Sequence, residues 1–253
     1  EVLKGQLLAE AEGATGAPVH SPVSGKVLAI EPRPHQSGHS VTAIVIENDG
    51  QDNWVERTTH PDPVQLDAEE ILKRISQAGV VGMGGAGFPT AAKLTLPKGI
   101  TLDYLIINGC ECEPHDTTDH RLMVEYPEDI VLGAKLMAKA SGARQIVIAI
   151  EDNKPDAIAS LKEHAGSIEI VAVPTRYPAG GEKQLIQQIT GREVPSGGLP
   201  YQVGAVVQNV ATARAAALAV RDGEPLISRV VTVTGTPIAE PGNFLVPIGT
   251  PLA

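Results

Sequence analysis

Cysteine is nearly missing from this 253-residue chain, which has two, Cys110 and Cys112. That excludes a disulfide framework and points to a reducing, cytoplasmic setting. It also excludes a [4Fe–4S] cluster held by this stretch alone, because such a cluster takes four thiolates. Positive charge is scarce as well: 20 Lys and Arg stand against 30 Asp and Glu, for a net charge of −10. Such a surface is no platform for nucleic acid or anionic lipid, so an anion has to be held locally, by backbone N–H groups or a few placed cations. No apolar run approaches the ~20 residues that span a bilayer, and no signal peptide opens the chain. The sequence starts at Glu1 and stops at "VPIGTPLA" within a β-like pattern. It is expected to be a piece of a longer protein.

What is present divides into three parts. Residues 1–63 hold short β-like runs, "VLKGQLLA", "PVHSPVSGKVLAIEP" and "VTAIVIEN", punctuated by glycine and proline. The pair "KGQLLA" and "SPVSGKVLAI" resembles the two halves of a biotinyl/lipoyl-type barrel-sandwich. The segment between them, "EAEGATGAPVH", lacks the lysine that carries the cofactor in such domains, so a structural or docking role is expected. The lone Trp54 is expected to sit against this module. After the link "THPDPVQ", residues 64–226 alternate between helical and apolar strand-like segments. A first helix, "DAEEILKRISQAG", has Asp67 as cap, Glu70 three residues on, and Ile71, Leu72 and Ile75 as its apolar stripe. Strands are expected at 102–108, 144–151, 168–173 and 203–209, with helices at 127–141, 155–165, 182–190 and 209–222. Continuous apolar strands separated by helices predict an α/β fold with a buried, largely parallel sheet. Residues 227–253 read as the start of another small β module.

The densest signal is "GVVGMGGAGFPTAAKL", in which Gly82, Gly84, Gly85 and Gly87 fall within six positions. It fits G-x-G-x-x-G, a pattern that glycine-rich stretches meet easily. The dinucleotide fingerprint needs a strand directly before the glycines, and here a helix ends near Ala78, so that reading fails. The physical content remains. Glycines let several N–H groups turn toward one point, Pro89 suits the first turn of a helix "PTAAKL", and Lys93 adds a cation. Such a loop feeding a helix N-terminus suits phosphate or a flat ligand lying on the backbone, although a tight turn under the sheet would use the same residues.

Three further patches follow expected strands, where ligands of open α/β sheets gather. "NGCECEPHDTTDHRLM" offers Asn108 as donor and acceptor, with Glu111 and Glu113 as carboxylates. Cys110 and Cys112, even with His115 and His120 nearby, match no zinc spacing, so no metal site is assigned. "PTRYPAGGEKQLI" places Tyr177, Gly181 and Glu182 before a helix. "QNVATARA" puts Asn209 at an N-cap with Thr212 in the first turn.

Together these stretches resemble the C subunit (RnfC) of the bacterial Rnf (Rsx) ion-translocating electron-transport complexes, essentially end to end. More remotely they are similar to the NADH-binding flavoprotein subunit of respiratory complex I. The resemblance implies a flavin-binding parallel-sheet core, a barrel-sandwich module before it and a truncated β-grasp (soluble-ligand-binding) module after it. It implies non-covalent flavin mononucleotide (FMN) on the glycine loop, with NADH stacked over it. Gly82, Gly84, Gly85 and Lys93 would hold phosphate and ribityl groups, and Asn108 would face the ring. Tyr177, Asn209 and Thr212 would complete the pocket, while Phe88, Glu113 and Glu182 would meet NADH. The sequence departs from complex I flavoproteins at Met83 (arginine there), Cys110 (aspartate there) and Gly181 (an acidic residue there), so Cys110 and Gly181 stand at altered flavin-pocket positions. Two [4Fe–4S] clusters would belong to a C-terminal part outside this sequence. The implied setting is peripheral, on the cytoplasmic side of the bacterial inner membrane, among the other Rnf subunits, in a complex coupling NADH and ferredoxin to ion movement. Hydride transfer to a flavin needs no acid or base from the protein, so no residue is nominated as catalytic. Competing readings are a docking module with a degraded flavin pocket and a flavin-dependent cobalamin reductase component.

Overall fold

The four apolar runs pair side by side in one sheet: those at Tyr104–Gly109, Gln145–Glu151 and Ala205–Asn209 are largely buried on both faces, whereas Glu169–Val173, at the edge, is partly exposed. In the computed structural model, which describes residues 1–13, 15–35 and 37–251, this sheet is built from strands late in the chain. Ahead of it lie β1 (Leu7–Ala9) and β2 (Val19–His20), an antiparallel pair, and β3 (Gly25–Pro34) with β4 (Ser40–Asn48), a second antiparallel pair. Trp54 belongs to this region: Gly5 approaches its ring, and the Lys4 and Arg57 cations lie 5.2 and 4.4 Å from its centroid.

Helix α1 (Ala68–Gln77) opens as expected, with Asp67 Oδ1 accepting from the Glu70 N–H at 2.8 Å. The reciprocal half of the capping box is replaced: the Glu70 carboxylate accepts from Lys73 and Arg74 instead. Then come α2 (Thr90–Leu94), β5 (Tyr104–Gly109), α3 (Thr118–Glu125), α4 (Pro127–Ser141), β6 (Gln145–Glu151), α5 (Pro155–His164), β7 (Glu169–Val173), α6 (Glu182–Thr190), β8 (Ala205–Asn209) and α7 (Val210–Asp222). The chain ends in an antiparallel hairpin, β9 (Ser228–Val233) and β10 (Gly242–Pro247). The last two residues of the 227–253 stretch lie outside the described residues.

The sheet order is β7-β6-β5-β8, all parallel. The chain winds outward from β5 to β7, then crosses back to lay β8 on the other side of β5. The carboxyl ends of β5 and β8 therefore flank a topological switch point, where open α/β sheets leave a crevice. Side chains alternate between two cores: Leu105, Ile107 and Ile148 join the helices α1, α4 and α7, whereas Ile106, Ala149 and Val207 meet Leu185 and Ile186 of α6. Helices α4 and α7 cross so closely that a Cβ on Gly133 would collide with the Ala213 carbonyl oxygen.

Helix α3 has no counterpart in the expected elements. Its N-cap residue, Thr117, makes no side-chain cap bond, and Asp116 just before it accepts from the Thr118 N–H at 3.2 Å. The carboxylate of Glu111 covers the next two amides from a distance, accepting from the N–H groups of Asp119 (2.7 Å) and His120 (3.3 Å) and from the Thr118 hydroxyl.

Candidate functional site

A cleft of about 780 Å³ opens at that switch point. Its lining includes the loop from Gly82 to Phe88 together with Asn108 and Cys110 to Glu113. Gly180 to Glu182 and Gln208 to Asn209 close the remaining sides.

Of the candidate residues, Gly82, Gly84, Gly85, Phe88, Lys93, Asn108, Cys110, Glu113, Gly181, Glu182 and Asn209 all line this one cleft. Two do not. Tyr177 is 76% exposed, its ring in solvent rather than on the lining. Thr212 is fully buried one step back, where its hydroxyl accepts from the Met83 N–H at 3.0 Å and anchors the glycine loop to α7.

The loop is held at its ends and open in the middle. Gly82 N–H donates to the Phe88 carbonyl, and Arg229 of β9 donates to the Met83 carbonyl at 3.2 Å. Among the described residues the amides of Gly84 and Gly85 meet no acceptor of good geometry. A Cβ on Gly84 would stand 2.9 Å from the Asn209 side chain, so only glycine fits there; a Cβ on Gly85 would meet no protein atom within 4 Å. The helix-terminus expectation needs correction. Helix α2 is only five residues long, Pro89 is its cap rather than its first turn, and its first amide, Thr90 N–H, donates to the Val80 carbonyl. The first amide of α2 is therefore spent within the protein, whereas those of Gly84 and Gly85 in the loop are not.

Lys93 is likewise committed: its Nζ lies 2.6 Å from Glu182 Oε1, joining α2 to the start of α6 across the cleft rim. Asn108 ties two loops together, donating to the Gly180 carbonyl at 2.9 Å and accepting from the Cys110 N–H at 3.0 Å. Asn209 accepts from the Ala211 N–H, capping α7, and donates to Asp119 Oδ2 at 2.6 Å.

The acidic wall is electrostatically unusual. Burial pushes the Asp119 carboxyl up to about 7, with the Glu111 charge adding to the rise. Burial also raises Glu111. Cys110, buried with its Sγ 3.7 Å from the Ala149 carbonyl, is pushed up to about 12, chiefly by desolvation and then by Glu151. Asp119, Arg229 and Gln208 line the cleft although the sequence patterns do not single them out. Asp119 and Arg229 have partners far away in the chain, and only Gln208, beside Asn209 at a strand end, carries a local signal.

An amide-lined cleft at the switch point of a parallel sheet defines an α/β protein built to hold a nucleotide-like ligand. Comparisons with known proteins narrow that class. Residues 75–218 match the family described as the Nuo51 FMN-binding domain, and residues 1–51 match the RnfC barrel sandwich hybrid domain. The chain belongs to the Nuo51 FMN-binding domain family, preceded by an RnfC-type module. It is 48% identical over its whole length to the C subunit of the ion-translocating oxidoreductase complex of Rhodobacter capsulatus, covering 50% of that protein. It is 47% identical over 99% of its length to the C subunit of the proton-translocating ferredoxin:NAD(+) oxidoreductase complex of Clostridium ljungdahlii, covering 55% of it. The chain thus spans about half the length of the curated relatives it matches. Among solved structures it is similar to an NAD+-reducing [NiFe]-hydrogenase chain, with TM-score 0.64, 28% identity, and 76% of this chain and 40% of that one covered. Among the described residues no helix is long and apolar enough to cross a membrane.

Proposed function

We propose that this chain is the FMN- and NADH-binding part of the C subunit of an Rnf-type complex, in which electron transfer between NADH and ferredoxin is coupled to ion movement. The division 1–63, 64–226 and 227–253 then separates a docking module, the redox core and the beginning of a β-grasp module. The observation that carries the reading is the glycine loop: unengaged amides at Gly84 and Gly85, open space above Gly85, and a cleft large enough for a flat nucleotide beside them.

The residues present fit such a group. The loop amides can donate to phosphate or ribityl oxygens, each charge-assisted bond contributing roughly 1.5–3 kcal/mol. Lys93 would join them once it leaves Glu182, and Glu182 would then be free to accept from hydroxyls of the dinucleotide. Phe88, nearly half exposed at the rim, offers an apolar face to the incoming nicotinamide. Asn108 and Thr212 would act by holding loops, not by touching the ring. When bound, the flavin supplies hydride acceptance and one-electron release; the protein supplies placement and dryness. The clusters that receive the electrons would lie in the remainder of the full-length protein, and the other Rnf subunits would hold it at the cytoplasmic face of the inner membrane.

Reconstitution tests this. The protein is mixed with FMN, desalted, and its visible spectrum taken before and after NADH. Retained flavin that bleaches with NADH is expected; no flavin bound at tens of micromolar overturns the proposal.

A further inference from the structure

Among the described residues that line the cleft, one alone has a buried side-chain nitrogen or oxygen without a hydrogen-bond partner; Thr90 Oγ1 and Glu151 Oε1 are also unpartnered but lie behind the lining. Asn108 and Asn209 are engaged at both ends, Glu111 accepts from three donors, and Thr212 accepts from Met83. Gln208 is different. It sits at the penultimate position of β8, in register with Ile107 of β5, and is 3% exposed. It lines the cleft, and its Nε2 is buried with no hydrogen-bond partner. A buried donor without an acceptor is costly to maintain, and Gln208 is held in that state beside a cleft that could supply the acceptor.

We infer that Gln208 is a specificity-determining residue whose side-chain amide donates to a carbonyl oxygen on the edge of a planar heterocycle seated in the cleft. The inference deepens the functional proposal above and rests on it: the heterocycle is the flavin, and the carbonyl belongs to its pyrimidine edge. The geometry separates two tasks. The loop amides at Gly84 and Gly85 take the phosphate-bearing chain, whereas the strand end at Gln208 reads the ring. A donor at a ring carbonyl favours the electron-rich, reduced form, so Gln208 also holds the reduction potential of the bound flavin higher than an apolar residue would.

The test compares wild type with Gln208→Leu, a replacement of similar volume that removes the orphan donor. The ligand-free variant is expected to melt no lower than wild type, because no internal hydrogen bond is lost. Its FMN affinity, read by fluorescence quenching, should fall about tenfold, a change of 1.4 kcal/mol. The bound flavin should have a more negative midpoint potential. Riboflavin, which lacks the phosphate, should lose the same factor with Gln208→Leu but be indifferent to Lys93→Ala. If wild type binds flavin and Gln208→Leu binds it equally well at the same potential, the role of Gln208 is overturned and the functional proposal stands. If wild type binds neither flavin, both fall.

Discussion

Replacing Asp119 with asparagine should flatten the pH dependence of stability on the alkaline side. The carboxyl is raised from 3.8 to about 7, first by burial and then by the Glu111 charge. Because the folded state holds this proton more tightly than the unfolded chain, the contribution to stability is complete below pH 3.8 and drains away as pH rises toward 7. With 1.36 kcal/mol per pKa unit, the loss between pH 5 and pH 8 is about 2.5 kcal/mol. Asp119 is not fully closed off from the cleft and shares its titration with Glu111, so the working figure is about 1–2.5 kcal/mol. The amide introduced by Asp119→Asn keeps an oxygen that can accept from Asn209, so the α7 cap survives. Thermal unfolding of the ligand-free protein should therefore show the variant gaining on wild type by roughly 2–10 °C between pH 5 and pH 8, at about 2–4 °C per kcal/mol. Parallel melting curves across that window would show that Asp119 ionises freely in the fold and would refute the reasoning.

Three other substitutions and one reagent probe the same cleft. Gly84→Ala drives a methyl to 2.9 Å from Asn209 and should cost about 1–3 kcal/mol in ligand-free stability, whereas Gly85→Ala meets no protein atom and should leave that stability within about 0.5 kcal/mol while weakening FMN binding. Equal melting temperatures for the pair would contradict the geometry. Glu182→Gln removes the partner of Lys93 and should tighten FMN binding up to about fivefold, the reach of a partly exposed ion pair, while weakening NADH; fluorescence titration showing looser FMN would count against it. A disulfide reagent at pH 8 should titrate one thiol in the native protein, Cys112, and two after denaturation, because Cys110 is buried and pushed up to about 12.

The parts legible in the sequence are those with a local physical cause. Strands β5 to β8 are continuous apolar runs, and a parallel sheet necessarily sends their carboxyl ends to one edge, so patches at Asn108, Gly181 and Asn209 converge. Caps at Asp67 and Asn209 act within three residues of themselves and are equally readable. What the sequence hides depends on distant partners. Helix α3 has one local cap, Asp116 on the Thr118 N–H, but its next two amides are held by Glu111 from eight and nine residues away, which no local pattern marks. Lys93 meets Glu182 across 89 positions, and Arg229 reaches Met83 across 146. Tyr177 and Thr212 follow the family pattern in sequence, yet one points to solvent and the other supports the loop from behind. Residue type alone does not separate a lining residue from its supports.

The distant contacts also answer a question that composition raises, how a chain of net charge −10 could receive a phosphorylated ligand at a cleft bearing five carboxylates. Four of the five have their charge answered within the protein. Glu111 is covered by the first amides of α3, and Asp116 accepts from the Thr232 hydroxyl and the Thr118 N–H. Asp119 holds a proton until about pH 7, and Glu182 lies against Lys93. Glu113 is the exposed one, and among the described residues no cation pairs with it. An approaching anion therefore meets bare amides together with carboxylates that are mostly hydrogen-bonded, paired or protonated, a weaker repulsion than a formal count implies. The acidic oxygens remain acceptors for hydroxyl groups. On the proposed function, a ligand carrying phosphate at one end and hydroxyl-bearing sugar along its length would find donors in the loop amides and acceptors in the carboxylates, which favours one orientation of entry.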